Sequence, residues 1–281
     1  MTAPLVLKLG GELVESSDGN GLSALAGALV DLAARPLVVV HGGGREIDAA
    51  IGRAGLVRRQ VDGLRITDEP TLAIVLSVLA GLVNTRLVAA ICAAGGAAVG
   101  LTGVDANTAP VVPAPLHRMA NGDLVDLQRV GAPTAAAPPP ALIGDLLALG
   151  YIPVVASVSA AADGRLFNVN ADTLAADLAG RLGASRLVLA GGTPGVLDGD
   201  GHTLSSIDAD AIEESIAGGR TTAGMAAKLR ACVDAIDRGV SHVSIVDGRD
   251  PARLARLLDE ESGPAQTLVC APGCQVSRGA R

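Results

Sequence analysis

The sequence predicts an α/β fold, a three-layer α/β/α sandwich around a mostly parallel open sheet. Three observations carry that prediction. Short runs rich in Val, Leu and Ile alternate with longer amphipathic stretches, the rhythm of strands joined by crossover helices. Aromatics are nearly absent, with one Phe, one Tyr and no Trp in 281 residues. The core must therefore be built from aliphatic side chains, as in parallel sheets covered on both faces. Finally, the glycine clusters directly follow predicted strands, at the carboxyl ends where such sheets bind ligands.

Residues 4–9 read as a buried strand closed by Gly10-Gly11. A helix over 22–34 leads to a strand over 37–41, and Gly42-Gly43-Gly44 opens a helix over 46–53. A long helical pattern over 71–94 precedes a strand over 97–101. Pro and Asn punctuate 105–128, whose short apolar pairs predict hairpins. A helix over 140–149 and a strand over 152–156 close the first half. The second half repeats the rhythm with helices over 173–182, 208–216, 225–238 and 252–259 and strands over 186–189 and 242–246. An edge strand over 266–270 and a disordered tail complete the expectation.

Composition narrows the function. With 49% hydrophobic residues, the chain has material for one large unit or two lobes. A net charge of −7 and the lack of aromatic platforms argue against nucleic acid as a partner. The opening residues carry no basic leader, and no apolar run is expected to reach the ~18 residues of a membrane span. The expectation is a cytoplasmic protein with no membrane partner. Cys92, Cys232, Cys270 and Cys274 lack a second pair or a neighbouring His, so reduced thiols and no protein-held metal are expected.

Among 22 basic side chains only Lys8 and Lys228 are lysine. Arginine is a wide planar fork, whereas lysine is a compact ammonium on a flexible stem, so a lysine kept against this bias points to a task arginine cannot perform. Both stand in glycine-bearing contexts, Lys8-Leu-Gly-Gly11 and Gly224-Met-Ala-Ala-Lys228, which suits a grip on transferring phosphate oxygens. Neither a Walker loop nor a dinucleotide fingerprint is present. His41-Gly-Gly-Gly44 before a helix start makes an anion cradle, with His41 reading as a strand-end residue bonded within the turn rather than as a general base. Arg65 can take a substrate carboxylate bidentately, or pair with Asp68 or Glu69. In Phe167-Asn-Val-Asn-Ala-Asp172, alternation puts Asn168 and Asn170 on one face, with Asp172 as N-cap or first-turn residue of the next helix. A carboxylate that positions the lysine ammonium groups accounts for this run.

Taken in order, Lys8-Leu-Gly-Gly, His41-Gly-Gly-Gly, Gly63-Leu-Arg-Ile-Thr-Asp68, Gly81-Leu-Val-Asn84, Ala98-Val-Gly-Leu101, Phe167-Asn-Val-Asn-Ala-Asp172, Pro194-Gly-Val-Leu197, Gly224-Met-x-x-Lys228 and Val246-Asp-Gly-Arg249 resemble the amino acid kinase family over nearly the whole chain. The Asn-Val-Asn-Ala-Asp wording is most similar to members acting on N-acetylglutamate. The resemblance implies ATP-dependent phosphorylation of the side-chain carboxylate of N-acetyl-L-glutamate, a step of arginine biosynthesis. It implies an acceptor-binding and dimerising lobe over 1–166 and an ATP-binding lobe over 167–281. Lys8, Asp172 and Lys228 would be catalytic, and Gly43, Gly44, Arg65 and Asn168 would bind the acceptor. Gly10, Gly11, Gly195 and Gly224 would line the nucleotide with the two lysines, and Mg2+ would bridge the phosphates without a protein cage. A homodimer without arginine feedback is expected, because no leading helix precedes the first strand. The chain departs from the family pattern at Ala190-Gly191, where a hydroxyl residue and Asp are usual, a change expected to remove polar contacts near the nucleotide. It also departs at Thr85, at Ala223 and at 266–268. The alternatives are a different carboxylate or carbamate acceptor, including carrier-linked aminoadipate or glutamate, and a silent nucleotide-binding regulator.

Overall fold

The structure is a computed structural model and describes residues 2–15, 20–119, 122–134, 137–219, 221–256 and 266–271. The first half runs β1 (Leu5–Leu9), α1 (Gly11–Val14), α2 (Asn20–Leu32), β2 (Leu37–His41), α3 (Gly44–Arg53), β3 (Gln60–Val61), β4 (Leu64–Arg65) and α4 (Glu69–Leu76). A π-helical stretch, Ser77–Val83, then leads into α5 (Asn84–Ala93) and β5 (Ala98–Thr102). Four short strands follow, β6 (Val111–Pro113), β7 (His117–Arg118), β8 (Leu124–Val125) and β9 (Val130–Pro133), then α6 (Ala141–Ala148), β10 (Ile152–Ala156) and β11 (Val158–Ala160). The second half runs β12 (Leu166–Val169), α7 (Ala171–Arg181), β13 (Arg186–Gly191), β14 (Ser206–Asp208), α8 (Ala209–Ala217), α9 (Ala223–Asp237), β15 (His242–Asp247), α10 (Pro251–Arg256) and β16 (Gln266–Cys270).

One eight-stranded sheet, ordered β14-β16-β15-β13-β1-β2-β10-β5, organises the chain. It is parallel throughout except where β16 runs antiparallel to β15. Strands from the first 156 residues fill one end and later strands the other, meeting where β1 pairs with β13. Strand alternation sorts side chains into two aliphatic layers. Leu5, Leu7 and Leu9 face α2, α5 and α10, while Val6, Val38 and Val40 face α6, α7 and α9. Both faces are covered, as the three-layer expectation requires. A four-stranded sheet, β11-β12-β9-β6, and two hairpins, β3-β4 and β7-β8, stand beside the main sheet. His117 of the second hairpin reaches Asp62 of the first at 2.8 Å.

Two expectations need correction. The strand over 266–270 is not an edge strand: β16 is interior, and the unforeseen β14 forms the edge. The helix over Glu69–Ala93 is long and apolar enough, by length and composition, to cross a membrane, against the expectation that no run would be. It carries Asn84 and Arg86 and packs Val75, Val78, Leu79, Val83, Leu87 and Ile91 into the core beneath the sheet, which accounts for its apolar character. Its π turn was also unforeseen. The helix expected over 252–259 is described only as Pro251–Arg256. Its remainder, the tail and Cys274 lie outside the described residues.

Candidate active site

Lys8 follows Leu7 in β1, so alternation turns it onto the face covered by α7 and α9. Asn170 caps α7, its Oδ1 accepting from the N–H groups of Asp172 at 2.9 Å and Thr173 at 3.1 Å. Capping thus explains Asn170, not Asp172, and the Asp172 carboxylate is left for other partners. Its Oδ1 meets Lys8 Nζ at 2.9 Å and Lys228 Nζ at 3.3 Å. Lys228 arrives on α9, whose N-cap is Thr222, and it stands in the second turn of that helix rather than the first. The three side chains are only 10%, 11% and 13% exposed for Lys8, Asp172 and Lys228.

Burial opposes ionisation of Asp172, but Lys8 and then Lys228 outweigh it and hold the carboxyl at about 2. Burial presses the Lys8 pKa below the ordinary lysine value, with Asp172 pulling it back up and Lys228 adding to the lowering. Two ammonium groups share the Asp172 carboxylate, with the Glu12 carboxylate also acting on Lys8 from farther off, an arrangement that a further negative charge would stabilise. Neighbouring Cys232 is buried and its thiol is pushed up by that burial, which makes it inert.

The loops after β1 and β2 press against each other. A Cβ on Gly11 would meet Gly44 N at 2.9 Å and Gly43 Cα at 3.1 Å, and one on Gly43 would meet Leu79 Cδ2 at 2.9 Å. These glycines bring bare backbone together at the strand ends. Glu15, unforeseen from sequence, accepts from Arg45 N at 3.0 Å and Glu46 N at 3.3 Å, filling part of the expected anion cradle at the start of α3. No acceptor among the described residues takes the N–H of Gly43 or Gly44.

Gly43, Gly44, Arg65 and Asn168, which the sequence singled out for an acceptor, line one cleft of about 200 Å³ together with Asn170 and Ala171. Arg65 does not pair with Asp68 or Glu69. Asp68 caps α4, Glu69 pairs with Arg129, and Arg65 donates through Nη2 to Asp48 at 2.6 Å and to Gly44 O at 3.3 Å. Its other terminal nitrogen, Nη1, is buried and has no partner among the described residues. A buried unpaired guanidinium donor costs on the order of 1–3 kcal/mol unless a ligand satisfies it. Asn168 donates to Thr67 Oγ1 at 3.2 Å. His41 is fully buried: Nδ1 lies 3.1 Å from Gly42 O, and Nε2 lies 3.1 Å from Asn84 Nδ2. Burial drives its pKa down to about 4.

On the other side of β1, Gly192 N donates to Glu12 Oε1 at 2.6 Å, and a Cβ on Gly191 would stand 3.2 Å from that oxygen. Glu12, just after the neighbouring strand β1, thus supplies a carboxylate to the loop that follows Ala190-Gly191. Gly195 has φ +116, and a Cβ there would meet Thr267 Oγ1 at 2.5 Å, so its loop packs on β16 in a way only glycine permits. Gly224 stands in the first turn of α9 against the turn of the β3-β4 hairpin, its nitrogen 3.4 Å from a Cβ built on Gly63. Among the described residues, the metal-competent grouping Asp198, Asp200 and His202 lies on the β13–β14 connection, where Asp198 Oδ1 already accepts from Asp200 N and His202 N.

Residues 3–247 match the amino acid kinase family. An acetylglutamate kinase of Chloroflexus aurantiacus is 42% identical over 248 residues, covering 88% of this chain and 93% of its own. Another, of Solidesulfovibrio magneticus, is 37% identical over 269 residues, covering 95% and 90%. Among solved structures, the N-acetylglutamate synthase of Neisseria gonorrhoeae superposes with a TM-score of 0.78 at 24% identity, covering 99% of this chain and 60% of that one, a likeness of fold.

Proposed function

The chain belongs to the amino acid kinase family, and from that premise we propose that it transfers the γ-phosphoryl group of ATP to the side-chain carboxylate of N-acetyl-L-glutamate, a step of arginine biosynthesis. The products are N-acetylglutamyl 5-phosphate and ADP. The observation that carries the reading is the meeting of Lys8 and Lys228 on one oxygen of Asp172, beside two loops of bare glycine backbone.

The acceptor is a carboxylate and is already ionised at pH 7, so no general base is needed. One of its oxygens attacks the γ-phosphorus, the bond to the β–γ bridging oxygen breaks, and ADP leaves with that electron pair. Charge builds on the equatorial and leaving oxygens, where two movable ammonium groups stabilise it. Asp172 orients the ammonium groups and keeps them from repelling each other apart. Arg65 Nη1 and Asn168 take the α-carboxylate of the acceptor, and the N–H groups of Gly43 and Gly44 receive its reacting end. Gly10, Gly11 and Gly224 line the nucleotide phosphates, and Gly195 shapes the loop after β13. The lobe over 1–166 holds the acceptor and the lobe over 167–281 the nucleotide. Mg2+ suits this donor set as an ion carried on ATP, since Asp172 is committed to two ammonium groups. When bound, it neutralises phosphate charge.

We place the protein in the cytoplasm as a homodimer. Cys92 and Cys232 are free thiols, which suits a reducing compartment. β5 ends the sheet, and Leu82 on the adjoining helix is 52% exposed, an apolar edge suited to a second copy. The test is ADP release with and without N-acetyl-L-glutamate, with hydroxylamine trapping of the acyl phosphate. Acceptor-dependent release with a trapped hydroxamate supports the proposal. ATP binding without turnover, or turnover only with another carboxylate or with carbamate, rejects it.

A further inference from the structure

We infer that His41 is a positioning residue that aims the Gly43 N–H at the acceptor, by holding the Gly42–Gly43 peptide plane through its ring. The inference rests on the proposed acceptor site but goes beyond it, because His41 does not line the acceptor cleft.

The hydrogen bonds fix the tautomer. Gly42 O can only accept, so the ring nitrogen 3.1 Å from it, Nδ1, carries the proton. The other nitrogen, Nε2, then has a lone pair and faces an N–H of Asn84 at 3.1 Å. The second N–H of the Asn84 amide donates to Val154 O at 2.9 Å, so both amide protons are placed. Asn84 opens α5 directly after the π turn, and both it and the ring are buried. The ring is thus held from β10 through Asn84 and cannot rotate without breaking a buried bond. Burial also keeps it neutral at pH 7, so the tautomer persists across the working range.

A peptide group is planar, and no cis bond is present among the described residues. In a trans plane the N–H points opposite to the C=O. With Gly42 O drawn back to the His41 ring, Gly43 N–H is turned the other way, toward the cleft that Gly42, Gly43 and Gly44 line. That N–H has no acceptor among the described residues. The plane lies between two glycines and so carries no side chain of its own to fix it, open at Gly42, where a Cβ would touch only Ala171 Cβ at 3.6 Å, and close-packed at Gly43, where one would meet Leu79 Cδ2 at 2.9 Å. The side-chain hydrogen bond therefore supplies an orientation that the backbone alone does not. The same facts argue against a base: a neutral ring whose basic nitrogen is occupied by Asn84 has nothing to offer a reacting proton.

Two variants of the full chain test this. In His41→Asn, an amide N–H stands where Nδ1–H stood. In His41→Leu the volume is kept and the donor is lost. His41→Leu is expected to raise KM for N-acetyl-L-glutamate about tenfold, the scale of one hydrogen bond, with ADP affinity by calorimetry within about twofold. His41→Asn is expected to recover most of that loss and to keep kcat. Parental acceptor KM in both folded variants overturns the inference, as does a collapse of kcat in His41→Asn, which would mark a proton-transfer role. Independently of any substrate, a long-range nitrogen-15 spectrum of the parent reports the tautomer: Nδ1–H is expected, and Nε2–H overturns the inference even if His41→Leu fails to fold. An inactive parent that nonetheless shows Nδ1–H would sink the proposed activity, not the positioning geometry.

Discussion

Helix α7 carries two buried carboxylates five residues apart, and each gathers two cations to opposite effect. Asp177 takes Arg181 Nη1 at 2.8 Å and Arg238 Nη1 at 3.3 Å. Both arginines are tied elsewhere too, Arg181 to Thr108 O and Pro138 O, Arg238 to Asp234. Burial raises the Asp177 pKa, and the arginines only partly offset it. Asp172, gripped by lysines, is held at about 2. At Asp177 the planar forks saturate fixed acceptors and staple α7 to its surroundings. At Asp172 each ammonium makes one side-chain contact among the described residues, and in the proposed reaction the remaining donors of each serve a moving anion. Arginine sits where the partner is permanent, and in the proposed reaction lysine meets a partner that comes and goes.

The sharpest way to break this comparison is to neutralise each carboxylate. Asp172→Asn removes the carboxylate that both buried ammonium groups contact and is expected to lower kcat by about 10²–10³-fold. Asp177→Asn is expected to cost stability, about 3–5 kcal/mol by denaturant titration, while the folded fraction keeps kcat within about threefold. Equal kcat losses in the two variants would erase the distinction. Exchanging cations is the next test. Lys228→Arg is expected to lose about 100-fold in kcat, because the wider fork misplaces charge at the phosphoryl group. Arg238→Lys, at the half-buried structural pair, is expected to cost about 1 kcal/mol of stability and no turnover.

A smaller effect separates the buried titrating groups by pH. His41 has its pKa lowered from 6.5 to about 4 by burial, so between those values the unfolded chain binds a proton that the folded chain does not. The stability this ring contributes is present above pH 6.5 and is lost as pH falls toward 4, by about 3 kcal/mol in all. Denaturant titrations of the parent and His41→Asn should therefore diverge by that amount between pH 7 and 4. Parallel curves would mean the ring is accessible to water.

Much of this was legible in the sequence because it depends on local rules. Strand alternation and glycine turns located β1, β2 and the loops after them, and the scarcity of lysine located Lys8 and Lys228. What was hidden depends on contacts distant in sequence or on competition between equivalent groups. Asn170 and Asp172 can both cap a helix, and nothing in their spacing says which one does. Arg65 found Asp48, 17 positions away on α3, rather than the nearer Asp68, which was needed as a cap. Glu12 and Glu15 went unread in the sequence, because their acceptor roles toward two neighbouring loops depend on the sheet order. That order also put β16 inside and β14 outside, since periodicity gives strands without giving neighbours.

The central claim is that a compact ammonium at position 8 serves the phosphoryl group and an equally charged fork cannot. The steady-state kcat of Lys8→Arg, measured with melting temperature as a check on folding, tests it directly. The account predicts at least about a 100-fold fall in kcat with the fold retained. A kcat close to the parental value in a folded Lys8→Arg variant would contradict it.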